Sequence, residues 1–222
     1  MNIWPAIWLS VQLAFFSTVI LLIIATPLAW WLIRSQSRLR PFIEALVALP
    51  LVLPATVLGF YLLLFMSPDH ALGALWLRLT DDSLAFSFAG LLLASIIYSL
   101  PFAVQPLQTA FQSVGRGVIE AAATMGAGRW DIFYSVVMPL SKRGFLTAMV
   151  LSFAHTLGEF GVVLMVGGNI PGRTRTISIE VFNAVEVLDY TTAHRLSAGL
   201  LLFSFVVLVF VYLINGQRRR ER

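Results

Sequence analysis

From Ile3 to Ile33 the chain carries no charged side chain. A helix needs roughly 20 apolar residues to cross a bilayer core, and in hydrocarbon every backbone donor and acceptor must find its partner inside the segment. The run lacks a basic leader and is too long for a signal-peptide core, so it is expected to stay in the membrane as a first span. That span begins near Trp8 after an interfacial start at Trp4 and Pro5, and Pro27 is expected to kink it. Composition agrees: 59% of the 222 residues are hydrophobic and 12% charged, about half the charged share of a soluble domain. The chain has no cysteine and three scattered histidines, which excludes disulfides and cysteine-based metal or redox sites and makes a histidine cluster unexpected. No metal site and no catalytic centre are expected. The high isoelectric point does not indicate nucleic acid, because the basic residues sit at span ends, where membrane orientation accounts for them.

Trp30 and Trp31 close the first span as interfacial anchors, and Arg34, Arg38 and Arg40 follow in a loop that reads as cytoplasmic, leaving the amino terminus outside. A second span from about Phe42 to Met66 contains Pro50, Pro54 and Gly59. Breaks at that depth free backbone groups that must be buried in protein or line a watery pathway, so both a kinked packing helix and a pathway wall remain open. The loop from Ser67 to Ser83, with three aspartates, reads as external and includes a short amphipathic piece near Ala74 to Leu79. A third span from about Phe86 to Leu107 is expected to be interrupted at Pro101 and Pro106. A fourth starts near Phe145 and runs through His155, Gly158, Glu159 and Gly161; the histidine and glutamate are four residues apart, so on a helix they share one face and can pair. They are candidates either for a gate or for helix packing. Gly167 and Gly168 lead into an external turn with Asn169, Pro171, Gly172, Arg173 and Arg175. Its arginines suit an anion, lipid headgroups or an acidic partner. Ile177 to Leu188 places Ile177, Val181, Val185 and Leu188 on the apolar face of an amphipathic helix too short to span. The last span, Leu196 to Ile214, ends in four arginines that put the carboxyl terminus inside. In this five-span layout eleven of the fifteen basic residues lie in inner segments. Residues 1–222 are expected to form one transmembrane domain with no internal repeat and no soluble second domain.

Between the third and fourth spans lies EAAATMGAGRWDIFYSVVMP, Glu120 to Pro139. The alanine-rich run from Val118 to Met125 forms a helix, Gly126 and Gly128 allow a turn, and Trp130 to Val137 restarts a helix that stops near Pro139. Ala121, Ala122, Ala123 and Ala127 offer a low-relief surface that another protein's groove can approach, rimmed by Arg116, Glu120, Arg129 and Asp131.

The spacing of Glu120-Ala121-Ala122, Gly126, Val136 and Met138-Pro139 resembles the EAA signature of permease subunits in ABC-type importers, with Val136 and Met138 where isoleucine and leucine are usual. The stretches LPLVLPATVLGFYLL, TMGAGRWDIFYSVVMPL and FAHTLGEFGVVLMVGGNIPGRTRTIS are similar to the molybdate permease branch, with sulfate permeases as near relatives. The resemblance implies the all-α transmembrane domain of a type I ABC importer, with about five transmembrane helices, in the bacterial inner membrane. It implies that residues 118–139 are the coupling segment, with Glu120, Ala121, Ala122, Gly126, Arg129 and Pro139 facing a cytoplasmic ATPase. It further implies a pathway shared with a second copy of the chain, and a periplasmic oxyanion-binding protein that delivers molybdate, or alternatively tungstate or sulfate. Pro50, Pro54, Gly59, His155, Gly158, Glu159 and Gly161 are pathway or gate candidates, and Asn169, Arg173 and Arg175 are candidate external contacts. No GxxxxGK[ST] loop is present, so ATP and magnesium are expected on the ATPase, and this chain has no cofactor of its own. The competing class is an intramembrane hydrolase using Ser152, His155 and Glu159, a poor arrangement for a triad because the three are stacked along one helix.

Overall fold

A computed structural model describes residues 3–216, all of whose regular elements are helical. Helix α1, Trp4–Arg34, spans 31 residues, about 46 Å at 1.5 Å per residue and longer than the roughly 30 Å bilayer core. Pro27 lies inside it without ending it. The buried positions Leu13, Ser17, Leu21, Ala25, Ala29 and Leu32 form one stripe at helical spacing, and Phe15, Phe16, Ile23 and Ile24 are exposed on the remaining surface. The alanines in that stripe let the backbones of neighbouring helices come close, and α1 packs chiefly against α5, Phe88–Gln112, and α8, Lys142–Gly158.

The expected second span is two helices, α2, Arg40–Val52, and α3, Ala55–Met66, bent by 113°. With 13 and 12 residues each, they reach only about 20 Å, so neither crosses a bilayer alone. The cause is local: Pro54 adopts an extended conformation ahead of α3, where a proline cannot continue the preceding helix. The short helix α4, Ala71–Thr80, follows and is terminated by Asp81, in the left-handed region. Ser87 caps α5, its hydroxyl accepting from the Gly90 amide at 3.1 Å. Contrary to expectation, α5 continues unbroken through Pro101 and Pro106. Its packing against α1 and α8 holds the helix across positions that sequence alone reads as breaks.

The polar island comprises α6, Arg116–Thr124, and α7, Arg129–Leu140, the latter bent by 71° from α8. The fourth span is α8 followed, after a break at Glu159 and Phe160, by the short α9, Gly161–Gly167. Helix α10, Ile177–Glu186, is amphipathic and short as expected, but it buries Ile179, Glu180 and Ala184, while Val185 and Leu188 of the expected stripe are exposed. The correction follows from Glu180 having an internal partner, described below. Helix α11, Tyr190–Gly216, lies at the periphery against α10 and α8. Leu201, Leu202, Phe205, Val206, Leu208, Val209 and Phe210 are exposed along it, as suits a helix facing lipid. Among the described residues three helices, α1, α5 and α11, are long and apolar enough to cross a membrane by themselves; by length and composition the bent pairs α2–α3 and α7–α8 would raise the number to five, although here α8 continues into α9 and α7 belongs to the polar island. The Arg218 to Arg222 tail lies outside the described residues.

Candidate functional site: docking segment, broken span and external turn

The loop between α5 and α8 combines an exposed rim with a buried root. Helix α6 ends at Met125, and Gly126 turns the chain at φ 90°, a region that L side chains rarely adopt. The turn is closed by the Gly126 amide donating to the Ala123 carbonyl at 3.0 Å and the Ala127 amide to the Ala122 carbonyl at 3.1 Å. Residues Ile132–Val137 within α7 take the wider π-helical winding, closed by the Met138 amide donating to the Phe133 carbonyl. Pro139 gives a physical reason, since it has no amide to donate and in a tight α-turn its ring would strike the carbonyl of Ser135. The helix ends at Leu140, next to Pro139, as expected.

Glu120, Ala121, Gly126, Arg129 and Pro139 are exposed, as a docking surface requires. Ala122 is not: it is 5% exposed and packs in the core cluster that holds Leu32, Phe111, Ile132, Phe133 and Val137. Its small side chain serves close internal packing instead of a low-relief outer face. An aromatic knot fixes the root, with Trp30 at 5.3 Å from Phe133 and 5.8 Å from Phe111, and Phe111 at 5.7 Å from Phe145. These rings belong to α1, α7, α5 and α8, so the root of the loop is packed directly against three of the long helices. On the outer side Met125, Trp130 and Tyr134 are 82%, 74% and 59% exposed, and the two rings stack with centroids 6.3 Å apart. Sequence reasoning overlooked this trio. The available signal was the presence of large apolar side chains in an otherwise polar loop.

At the broken span the expected His155–Glu159 pair does not form. Helix α8 stops at Gly158, and Glu159 has an extended backbone (φ −65°, ψ 133°), so the four-residue spacing no longer puts the two on one face. His155 instead bonds through Nδ1 to the Ser99 hydroxyl at 2.9 Å, stacks on Phe102 at 3.9 Å and lies beside Tyr98. The Ser99 hydroxyl also meets Thr156 at 3.0 Å. Glu159 is buried; its carboxyl has no hydrogen-bond partner among the described residues, and the Ser95 hydroxyl lies beside it without bonding geometry. Ser152 is also buried and unbonded. Ser152, His155 and Glu159 therefore form no hydrogen-bonded chain, and the hydrolase arrangement is absent.

The other candidates divide by packing. A Cβ on Gly59 would lie 2.7 Å from the Met165 Cβ, and one on Gly161 would lie 2.8 Å from the Ala55 Cβ, so these two glycines let α3 and α9 cross closely. Pro50 is buried near the end of α2, Pro54 is exposed at the bend, and Gly158 faces open space.

The external turn is internally braced. Thr174 donates its hydroxyl to the Gly167 carbonyl at 2.6 Å, and its oxygen accepts from the Ile170 amide. Asn169, at φ 59°, pairs with Asn183 and accepts from Arg175 Nε at 2.8 Å. Arg175 also faces Glu180 at 3.5 Å, a pair with side chains only 21% and 6% exposed. Arg173 pairs with Asp82 across the two external loops. This guanidinium hydrogen bond, aided by the Ser83 amide, holds the Asp82 carboxyl below its usual range. Both arginines thus have a carboxylate partner within the chain, Arg173 in an exposed pair and Arg175 in a largely buried one.

Comparison with known proteins places this architecture. Residues 22–220 match the family described as binding-protein-dependent transport system inner membrane component. The molybdenum transport system permease protein ModB of Azotobacter vinelandii is 56% identical over 207 residues, covering 93% of this chain and 92% of that protein. ModB of Escherichia coli K12 is 34% identical over 82% of this chain and 80% of its own length. The sulfate transport system permease protein CysT of Escherichia coli K12 is 32% identical over 87% of this chain and 70% of its own. Among solved structures, a bacterial ABC transporter involved in the import of the acidic polysaccharide alginate superposes with a TM-score of 0.72 at 20% identity, covering 97% of this chain and 78% of that one. A second, in complex with an alginate pentasaccharide-bound periplasmic protein, gives 0.70 at 19% identity over the same shares; at such identities the likeness concerns the fold. The signature spacing around Gly126, the helical architecture and the match over nearly the whole length agree, and the chain belongs to the binding-protein-dependent transport system inner membrane components, multi-pass permeases of ABC importers.

Proposed function

We propose that the chain is the membrane-spanning subunit of an ATP-driven molybdate importer, working as two copies around one pathway with separate cytoplasmic ATPase subunits and a periplasmic binding protein. The observation that carries the transport reading is the docking segment, whose exposed rim is rooted in the same aromatic knot that joins α1, α5 and α8. Kinship with molybdenum permeases over almost the full length supports the substrate. Tungstate, a tetrahedral dianion of similar size, is expected to compete. The sulfate permeases among the relatives keep sulfate as the second reading.

In the mechanism, closure of the ATP-bound ATPase subunits draws the two docking segments together. Ala122 and Phe133 pass that displacement to α1 and α5, and the cavity opens outward under the docked binding protein. Hydrolysis reverses the motion. Because a ligand shifts such an equilibrium only by its differential affinity, the binding protein must prefer the outward-open, ATP-bound form. The chain supplies no nucleotide site of its own in this scheme. Glu159 acts at the hinge between α8 and α9 and not as an anion ligand.

The test is ATP hydrolysis by the chain assembled with its ATPase in liposomes, with binding protein loaded with molybdate or with sulfate. Stimulation by the molybdate form is expected. Stimulation by sulfate alone would move the substrate, and failure to assemble with any ATPase would overturn the reading.

A further inference from the structure

The basic-end half of α5 carries Gln105 and Thr109, and its capping residue Ser113 follows at the same four-residue interval, which places the three on one helical stripe; all are exposed. They border a groove of about 760 Å³ whose opposite wall is formed by Lys142, Arg143 and Thr147 at the start of α8. Phe102, the ring on which His155 stacks, also lines it, together with the apolar Pro101, Pro106, Leu140 and Leu151. Counted from the first residue of α5, Phe88, Gln105 lies about 26 Å along the helix, within the roughly 30 Å hydrocarbon thickness; Thr109 lies near its boundary at about 32 Å, and Ser113 lies beyond it at about 38 Å. The Gln105 side chain makes no hydrogen bond among the described residues. An amide left facing lipid at that depth is costly, so this stripe needs water beside it.

The lining chemistry identifies what that water carries. The Thr109 hydroxyl donates to the Gln105 carbonyl at 3.0 Å, Ser113 to the Ala110 carbonyl at 2.7 Å and Thr147 to the Arg143 carbonyl at 2.9 Å. Their protons are turned back into the helices. The donors left to face the groove are the Gln105 amide midway and the Lys142 and Arg143 cations at its mouth. Such a lining attracts a dianion toward the basic end and offers no cage that would retain it.

We infer that this groove between α5 and α8 is the inner half of the oxyanion pathway, with Gln105 as its midway donor and Lys142 and Arg143 as its exit cations. The inference rests on the importer reading above and assigns it a surface that none of the candidates read from sequence includes.

The chain has no cysteine, so single substitutions report accessibility directly. In the full complex in inside-out vesicles, Gln105→Cys and Thr109→Cys should react with an anionic, membrane-impermeant methanethiosulfonate at least tenfold faster than Leu201→Cys and Phe205→Cys on the exposed face of α11. ATP with vanadate should slow that reaction at least tenfold by closing the inner side. The combined change Lys142→Gln and Arg143→Gln, which leaves α5 untouched, should lower molybdate uptake by whole cells several-fold. Intact uptake with Gln105→Cys as slow as Leu201→Cys would refute the groove while sparing the importer reading; lipid or the second copy would then fill it. Unchanged uptake in the double variant would refute the exit cations. Rapid labelling of a complex that hydrolyses ATP yet imports no molybdate into whole cells would refute the importer reading, and with it the oxyanion assignment.

Discussion

Gly126 and Gly128 flank Ala127 in the docking turn, and a Cβ built on either meets no atom within 4 Å. They differ in backbone: Gly126 sits at φ 90°, whereas Gly128 is extended at φ −70° and ψ 165°. Gly126→Ala therefore carries a conformational penalty of about 1–2 kcal/mol with no steric component inside the chain, and Gly128→Ala carries almost none. A penalty of that size is about a 5- to 30-fold loss in the population of correctly turned segment, felt locally because the spans are held elsewhere. Asparagine visits positive φ more readily than alanine and β-branched residues least, so the order of function at position 126 should be Gly, Asn, Ala, Val. The assay is co-purification of the ATPase with each variant, followed by binding-protein-stimulated hydrolysis, with membrane insertion checked separately. If the partner's groove rather than the backbone sets the requirement, the larger Asn would do worse than Ala, and Gly128→Ala would be as harmful as Gly126→Ala. Either outcome would refute the reasoning.

The crossing of α3 and α9 predicts that Gly161→Ala, whose new methyl would lie 2.8 Å from the Ala55 Cβ, costs about 1–3 kcal/mol. Adding Ala55→Gly should restore much of the loss of thermal stability, and strict additivity of the two would sink the contact argument. Arg175→Ala leaves Glu180 buried opposite nothing, so a loss of about 3 kcal/mol is expected. Glu180→Gln in that background should recover part of it in the same melting measurement. At the exposed Asp82–Arg173 pair the folded carboxyl titrates below its usual 3.8. Its contribution is therefore complete above that pH and disappears as pH falls through the lower folded value. The difference in melting temperature between wild type and Asp82→Asn should shrink only under strongly acid conditions; a difference that widens there would reverse the assigned sign.

Long uncharged runs and their basic flanks made membrane helices legible, because hydrocarbon leaves the backbone few choices. The turn at Gly126 was legible for a similar reason, as a glycine between two helix-forming runs has few local alternatives. Where local rules failed, a neighbour outweighed them: α5 passes through Pro101 and Pro106 while held against α1 and α8, yet the chain bends by 113° just before Pro54. The same residue type bends one segment and not the other, and sequence carries no record of which has support. Periodicity also misplaced the inner face of α10, since Glu180 is drawn inward by Arg175. Spacing suggested a His155–Glu159 pair that exists only on an unbroken helix, and the chain unwinds one residue before the glutamate. The composition of the docking segment, its charges and its helix-turn-helix form belonged to the sequence. Tertiary structure alone decided that Ala122 points inward, that Trp130 and Tyr134 point outward, and that α5 and α8 leave a groove between them that Gln105, Lys142 and Arg143 line. Those outcomes depend on which surfaces meet across residues far apart in the chain, a relation that local pattern does not encode.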